Sequence, residues 1–186
     1  MTSRPARTKL SEAEALLSRA TAREEGLAEL HDLFRTGTAS QPAGFLKGQP
    51  ITATTWGPLD AIGRRVAAVY MPWLGKSFEP AAGEGFNVLT KAALPPMKVL
   101  WPGYRPLREY GDCVEAFRFR TRVAPSALDP QTDVLKIDYD LDGNPAPIVR
   151  NILDEIVEID EELYLGKVLY RIKSRFRRIG FFALER

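Results

Sequence analysis

The chain has 186 residues, of which 45% are hydrophobic and 27% charged, a balance that suits one globular domain and excludes disordered or membrane compositions. Lys and Arg number 26 against 24 Asp and Glu, so a net charge of +2 provides no general field for nucleic acid. The single cysteine, Cys113, rules out an intramolecular disulfide, no apolar run is long enough for a membrane span, and Met1 to Lys9 lacks a secretory core; a cytoplasmic protein is expected.

Residues 1–10 are polar and basic and read as a flexible N-terminus ahead of one domain over 11–186. Ser11-Glu12-Ala13-Glu14 has the spacing of a capping box, and Ala13, Leu16, Leu17 and Ala20 continue it at helical intervals. After an interruption at Gly26, Leu27, Leu30, Leu33 and Phe34 give a second amphipathic stretch. Gly37, Pro42, Gly44, Gly48 and Pro50 then break helical order, leaving Phe45 and Leu46 as the entrance to a sheet. Pro58, Leu59, Ile62, Val66 and Val69 predict a short helix that begins at a proline.

Beyond Pro72, Trp73 to Phe78, Phe86 to Thr90 and Met97 to Trp101 are short runs bounded by Gly or Pro and read as strands, with Gly103 to Asp112 as a loop. Cys113 to Val123, Asp133 to Leu141, Ile152 to Ile159, Leu163 to Lys173 and Arg177 to Leu184 follow as an antiparallel meander. Asp142-Gly143-Asn144-Pro145, Asp160-Glu161-Glu162 and Ser174 to Phe176 supply turns between them. The expected fold class is mainly β with N-terminal α: a lipocalin-like antiparallel barrel of about eight strands plus amphipathic helices, the same strands also being compatible with a β-sandwich.

The alternation from Phe117 to Val123 sets Arg118, Arg120 and Arg122 on one face and Phe117, Phe119, Thr121 and Val123 on the other. If the arginines face a cavity, they would hold a carboxylate or phosphate; if they face out, Asp138, Asp140, Asp154 and Glu158 would neutralise them. Trp73, Tyr139 and Tyr164 are the aromatic candidates for pocket walls. His31 has no nucleophile or metal-ligand pattern beside it, which leaves Asp138, Asp154 and Tyr139 as the acid–base candidates and no expected metal or cofactor. The basic residues Arg171, Lys173, Arg175, Arg177 and Arg178 flank a turn and read as a solvated tip.

Gly44-Phe45-Leu46-Lys47-Gly48 after the helix, followed by Trp73-Leu74-Gly75-Lys76-Ser77-Phe78, resembles the GXWXG-type domain, with Leu46 in the place of the name-giving tryptophan. Tyr139-Asp140, Pro147-Ile148 and Leu165-Gly166 are similar to marks of the uncharacterised domain that usually follows it. This resemblance implies a calycin-like barrel and no particular reaction. The functional expectation is a protein that encloses an apolar or amphiphilic, fatty-acid-like and anionic ligand, contacting Arg118, Arg120, Arg122, Trp73, Tyr139 and Tyr164. A cyclase or isomerase acting on a hydrophobic metabolite is the alternative. The expected partner is thus a small hydrophobic or amphiphilic molecule, with homo-oligomerisation left open.

Overall fold

In the computed structural model, which describes residues 24–53 and 72–186, the repeat Leu27, Leu30, Leu33 and Phe34 forms one stripe of helix α1, Glu24–Thr36. Gly26 lies inside this helix and does not interrupt it. The expected helices near Ser11 and over Pro58 to Val69 and the flexible residues 1–10 lie outside the described residues.

Nine strands follow: β1 Gly44–Ala53, β2 Trp73–Glu79, β3 Glu84–Thr90, β4 Arg108–Tyr110, β5 Cys113–Pro125, β6 Asp133–Asp138, β7 Ile152–Asp160, β8 Leu163–Ile172 and β9 Arg175–Glu185. They pair in the order β3-β2-β1-β9-β8-β7-β6-β5-β4, and β3 also pairs with β5. All pairings are antiparallel, so eight strands close a barrel while β4 adds a short flap beside β5. Closure removes the edges that a sandwich would leave, and each barrel strand has two neighbours.

Three elements differ from the expectation, the smallest being β4, which lies within Gly103 to Asp112, a segment expected as a loop. Met97 to Trp101 is not a strand: helix α2, Leu94–Leu100, covers most of it, because Pro95 and Pro96 sit in its first turn where their missing N–H groups cost nothing. The eighth barrel strand is instead β1, whose glycines and Pro50 disguise it. Gly48 gives the Trp73 ring room that any Cβ would fill, and Pro50 lies where the pairing with β9 shifts register.

Another shift falls in β5. Its buried positions run Val114 and Ala116, then change parity to Phe117 and Phe119, since Phe117 has a left-handed φ of 53° opposite the irregularity between Gly85 and Asn87 of β3. The Tyr104 hydroxyl accepts the Phe117 N–H at 2.7 Å and its ring stacks on that phenyl, which holds the strained residue in place. Burial pushes the Tyr104 phenol up to about 12, against the smaller lowering effect of the Phe117 N–H it accepts.

The interior core gathers Leu46, Phe78, Leu89, Phe117, Phe119 and Phe182, and α2 contributes Met97 to it. A second core lies outside the barrel, where Leu30 and Phe34 of α1 cover Val134, Val157, Leu165, Phe181 and Ala183. His31 sits at the margin of that interface, its ring edge-on to Phe181 at 5.3 Å. Burial, followed by the charges of Lys167, Arg178 and Arg35, lowers its pKa from 6.5 to about 4. Between those values the unfolded chain takes up a proton that the folded chain refuses, so this residue's contribution to stability falls as pH drops from 6.5 to about 4. Urea unfolding across that window should show a smaller loss of stability in His31→Gln than in the unsubstituted protein. Identical pH slopes would refute a neutral, docked imidazole.

Candidate functional site

The lumen of an apolar barrel is a poor place for charge, yet Lys76 of β2 and Asp154 of β7 are buried there at 1% and 2% exposure. In the strand order β2 and β7 stand four steps apart in either direction around the eight-strand ring, so the two side chains reach toward each other across the lumen. Their Nζ and Oδ2 atoms meet at 2.9 Å.

Three further residues complete the cluster. Asn87, the register partner of Lys76 on β3, accepts from Nζ at 3.0 Å through Oδ1 and from Trp73 Nε1 at 3.2 Å. Tyr139, just past β6, accepts from Lys76 Nζ and from Asn87 Nδ2, the latter at 3.0 Å, and donates to Asp154 Oδ2 at 3.1 Å. The other N–H of the Asn87 amide reaches the Phe117 carbonyl at 3.3 Å. Asp154 Oδ1 is buried and has no hydrogen-bond partner among the described residues.

Aromatic rings frame the ammonium. Trp73, Phe119, Tyr139 and Phe182 place their centroids 5.1 to 5.5 Å from Nζ, close enough for cation–π attraction. Glycine makes room for two of them, because a Cβ on Gly48 would overlap the Trp73 ring and one on Gly166 the Phe182 ring. Burial pulls the Lys76 pKa below the usual lysine range, and Asp154 opposes that shift by charge and hydrogen bond.

The candidates read from the sequence divide between the two faces. Tyr139 and Asp154 enter the cluster, Trp73 packs against it, and Tyr164 is buried in the same core with its phenol raised by burial. Arg118, Arg120 and Arg122 stand on the outer face, each with its side chain more than half exposed. Arg118 and Arg120 approach Glu84 at 3.9 and 3.6 Å, and Arg122 pairs with Asp138 at 3.0 Å. The guanidinium groups therefore do not line the lumen, and Asp138 is occupied outside it. Among the described residues, no three His, Cys, Asp or Glu side chains are grouped to hold a metal ion.

Lys76 and Asn87 are absent from the candidates drawn from sequence. The signal for Lys76 was its phase: in β2 it alternates with Phe78, so the strand that buries Phe78 must bury the lysine too. Asn87 alternates with Leu89 in the same way.

No family model, curated protein or solved structure matches the chain. No match supports the GXWXG-type resemblance, and the closed antiparallel barrel is compatible with a lipocalin-like fold. Among the described residues no helix is long and apolar enough to cross a membrane.

Removing one member of a buried ion pair strands the other, which typically costs about 3–5 kcal/mol, whereas replacing both by apolar groups can be neutral. Lys76→Met is therefore expected to lower the unfolding free energy by that order. Lys76→Met with Asp154→Leu should recover most of the loss. Urea unfolding of the two singles and the double would expose strict additivity, which is incompatible with a coupled pair.

Proposed function

We propose that the protein binds a small, largely apolar or amphiphilic molecule inside the barrel, with its polar end against the cluster of Lys76, Asp154, Tyr139 and Asn87. The observation that carries this reading is the buried ion pair across the lumen. A barrel that needed only stability would gain as much from apolar side chains of similar volume, so a retained buried pair asks for another role. Aromatic walls with a few converging polar groups are the usual composition of a small-molecule site.

In this reading the cluster is the floor of the site. Trp73 and Tyr139 act as both wall and polar contact, and Tyr164 belongs to the same lining. An anionic, fatty-acid-like ligand drew its support from arginines in the cavity, and those side chains are paired outside. The cluster takes over as the polar contact.

Native mass spectrometry of freshly purified protein, followed by titration with the neutral fluorophore N-phenylnaphthylamine, tests the reading. A retained small molecule, or saturable fluorophore binding that Trp73→Ala weakens about tenfold, is the expected result. An empty protein that also ignores the fluorophore would exclude a ligand site in the barrel.

A second reading, a barrel isomerase or cyclase, has one observation in its favour. The Tyr139 hydroxyl touches both the Lys76 ammonium and the Asp154 carboxylate, so a proton given up by the phenol has a ready replacement. Incubating the molecule released from the protein with fresh protein in deuterium oxide separates the readings. Deuterium entering a carbon position, and lost with Tyr139→Phe, marks an enzyme; an unlabelled molecule marks a carrier.

A further inference from the structure

Hydrogen-bond accounting in the interior cluster specifies the ligand's polar group. Lys76 Nζ has three oxygen partners, namely Asp154 Oδ2, Asn87 Oδ1 and Tyr139 OH, which match the three protons of an ammonium. The two amide protons of Asn87 go to the Phe117 carbonyl and the Tyr139 oxygen. Trp73 Nε1–H goes to Asn87 Oδ1, and the Tyr139 proton to Asp154 Oδ2.

On the accepting side, Tyr139 OH and Asp154 Oδ2 each receive two hydrogen bonds, and Asn87 Oδ1 receives two with the Tyr139 hydroxyl a third, longer contact at 3.4 Å. The donors of these groups are all committed. What remains is an acceptor, Asp154 Oδ1, buried on the lumen side of β7 with no hydrogen-bond partner among the described residues. A buried carboxylate oxygen left in that state is costly, and only a donor relieves it.

Charge narrows the choice further. One ammonium and one carboxylate already balance, so a ligand bringing a second buried ion would have to be desolvated without a counter-charge of its own. We propose that the ligand is a neutral amphiphile whose polar end donates a hydrogen bond to Asp154 Oδ1: an alcohol or N–H group on an apolar body, not a carboxylate and not a simple ketone. This rests on the binding reading given above and refines it.

Three probes with one hydrocarbon chain decide the matter in calorimetric titrations of the full-length protein: nonanol, its ketone counterpart nonanone, and nonanoate. Nonanol should bind at least about tenfold more tightly than either, because a site with an unmet polar group rejects analogues that cannot satisfy it. Asp154→Asn supplies a second arm. The Lys76 ammonium and Tyr139 hydroxyl would draw the amide oxygen toward themselves and leave the NH2 at the open position, which turns a required donor into a required acceptor. In that variant the preference should reverse in favour of nonanone.

The ranking in the unsubstituted protein stands even if the variant fails to fold. Equal affinities for all three probes, or a preference for nonanoate or nonanone, would overturn the proposed donor while leaving a ligand site in the barrel. Failure of all three to bind, together with an empty protein in native mass spectrometry, would overturn the binding reading itself.

Discussion

One ion pair crosses the lumen, and much of the barrel's geometry is arranged so that it can. Lys76 and Asp154 come from opposite staves and meet only if every intervening pairing keeps its register, since a slip of one residue would carry either side chain to the outer face. A miss would leave two buried charges without compensation. The irregularities are correspondingly placed: the shift between Trp73 and Gly75 lets an odd-numbered tryptophan and an even-numbered lysine face the same interior, and the left-handed Phe117 reorients β5 opposite Asn87. The aromatic packing follows the same requirement. Gly48 and Gly166 give up side chains of their own, so that Trp73 and Phe182 lie close to the inner wall and against the ammonium.

The outer face handles charge by different physics. Arg118, Arg120 and Arg122 find carboxylates on adjacent strands, but water screens these pairs, and each contributes at most about 1 kcal/mol. Such pairs tolerate loose distances, as the 3.9 Å separation of Arg118 from Glu84 shows. Inside, the corresponding distance is 2.9 Å and every donor has its acceptor. Density of charge along a strand is therefore a poor guide to which charges face the interior of a barrel. A single charged residue in phase with large apolar ones is a better guide.

The sequence was legible where alternation and turn chemistry agreed. The meander from β5 to β9 and its tip at Glu161-Glu162 follow from β-rich runs separated by polar turns, while the last tip falls at Lys173-Ser174 and not at Ser174 to Phe176, because Arg175 and Phe176 already pair in β9. Local signals misled where tertiary contacts overrode them. In β1 the glycine at position 48 marks close approach of an aromatic ring, not a break, and the apolar run Met97 to Trp101 yields to the prolines before it. Half of the interior cluster was visible: Asp154 and Tyr139 stood out as acid–base types. Lys76 and Asn87 did not, because a lysine or asparagine in a short strand is ordinarily a surface residue, and only its phase relative to Phe78 or Leu89 reveals the opposite. The meeting of β2 with β7 across the lumen requires knowledge of closure, which depends on β1 pairing with β9 and β3 with β5.

Strand β7 carries an internal control for the meaning of the open acceptor. Asp154 and Glu155 are neighbours, both buried carboxylates, on opposite faces of the same strand. Glu155 lies on the outer face at full burial, and both of its oxygens are satisfied: Ala127 N–H donates to one at 2.6 Å and the Ser126 hydroxyl to the other at 2.6 Å. Lys167, its cross-strand partner, rests its ammonium 3.7 Å from the Phe34 ring centroid of α1, and burial lowers its pKa to about 8 despite the attraction of Glu155. That face is sealed by α1 and its loops, and there the fold completes the hydrogen bonding of a buried acid. One residue away, facing the lumen, an acid held just as firmly keeps one oxygen unmatched. Since the same strand shows that this chain can satisfy a buried carboxylate in full, the unmatched oxygen of Asp154 is particular to the interior face and not a sign of generally loose packing.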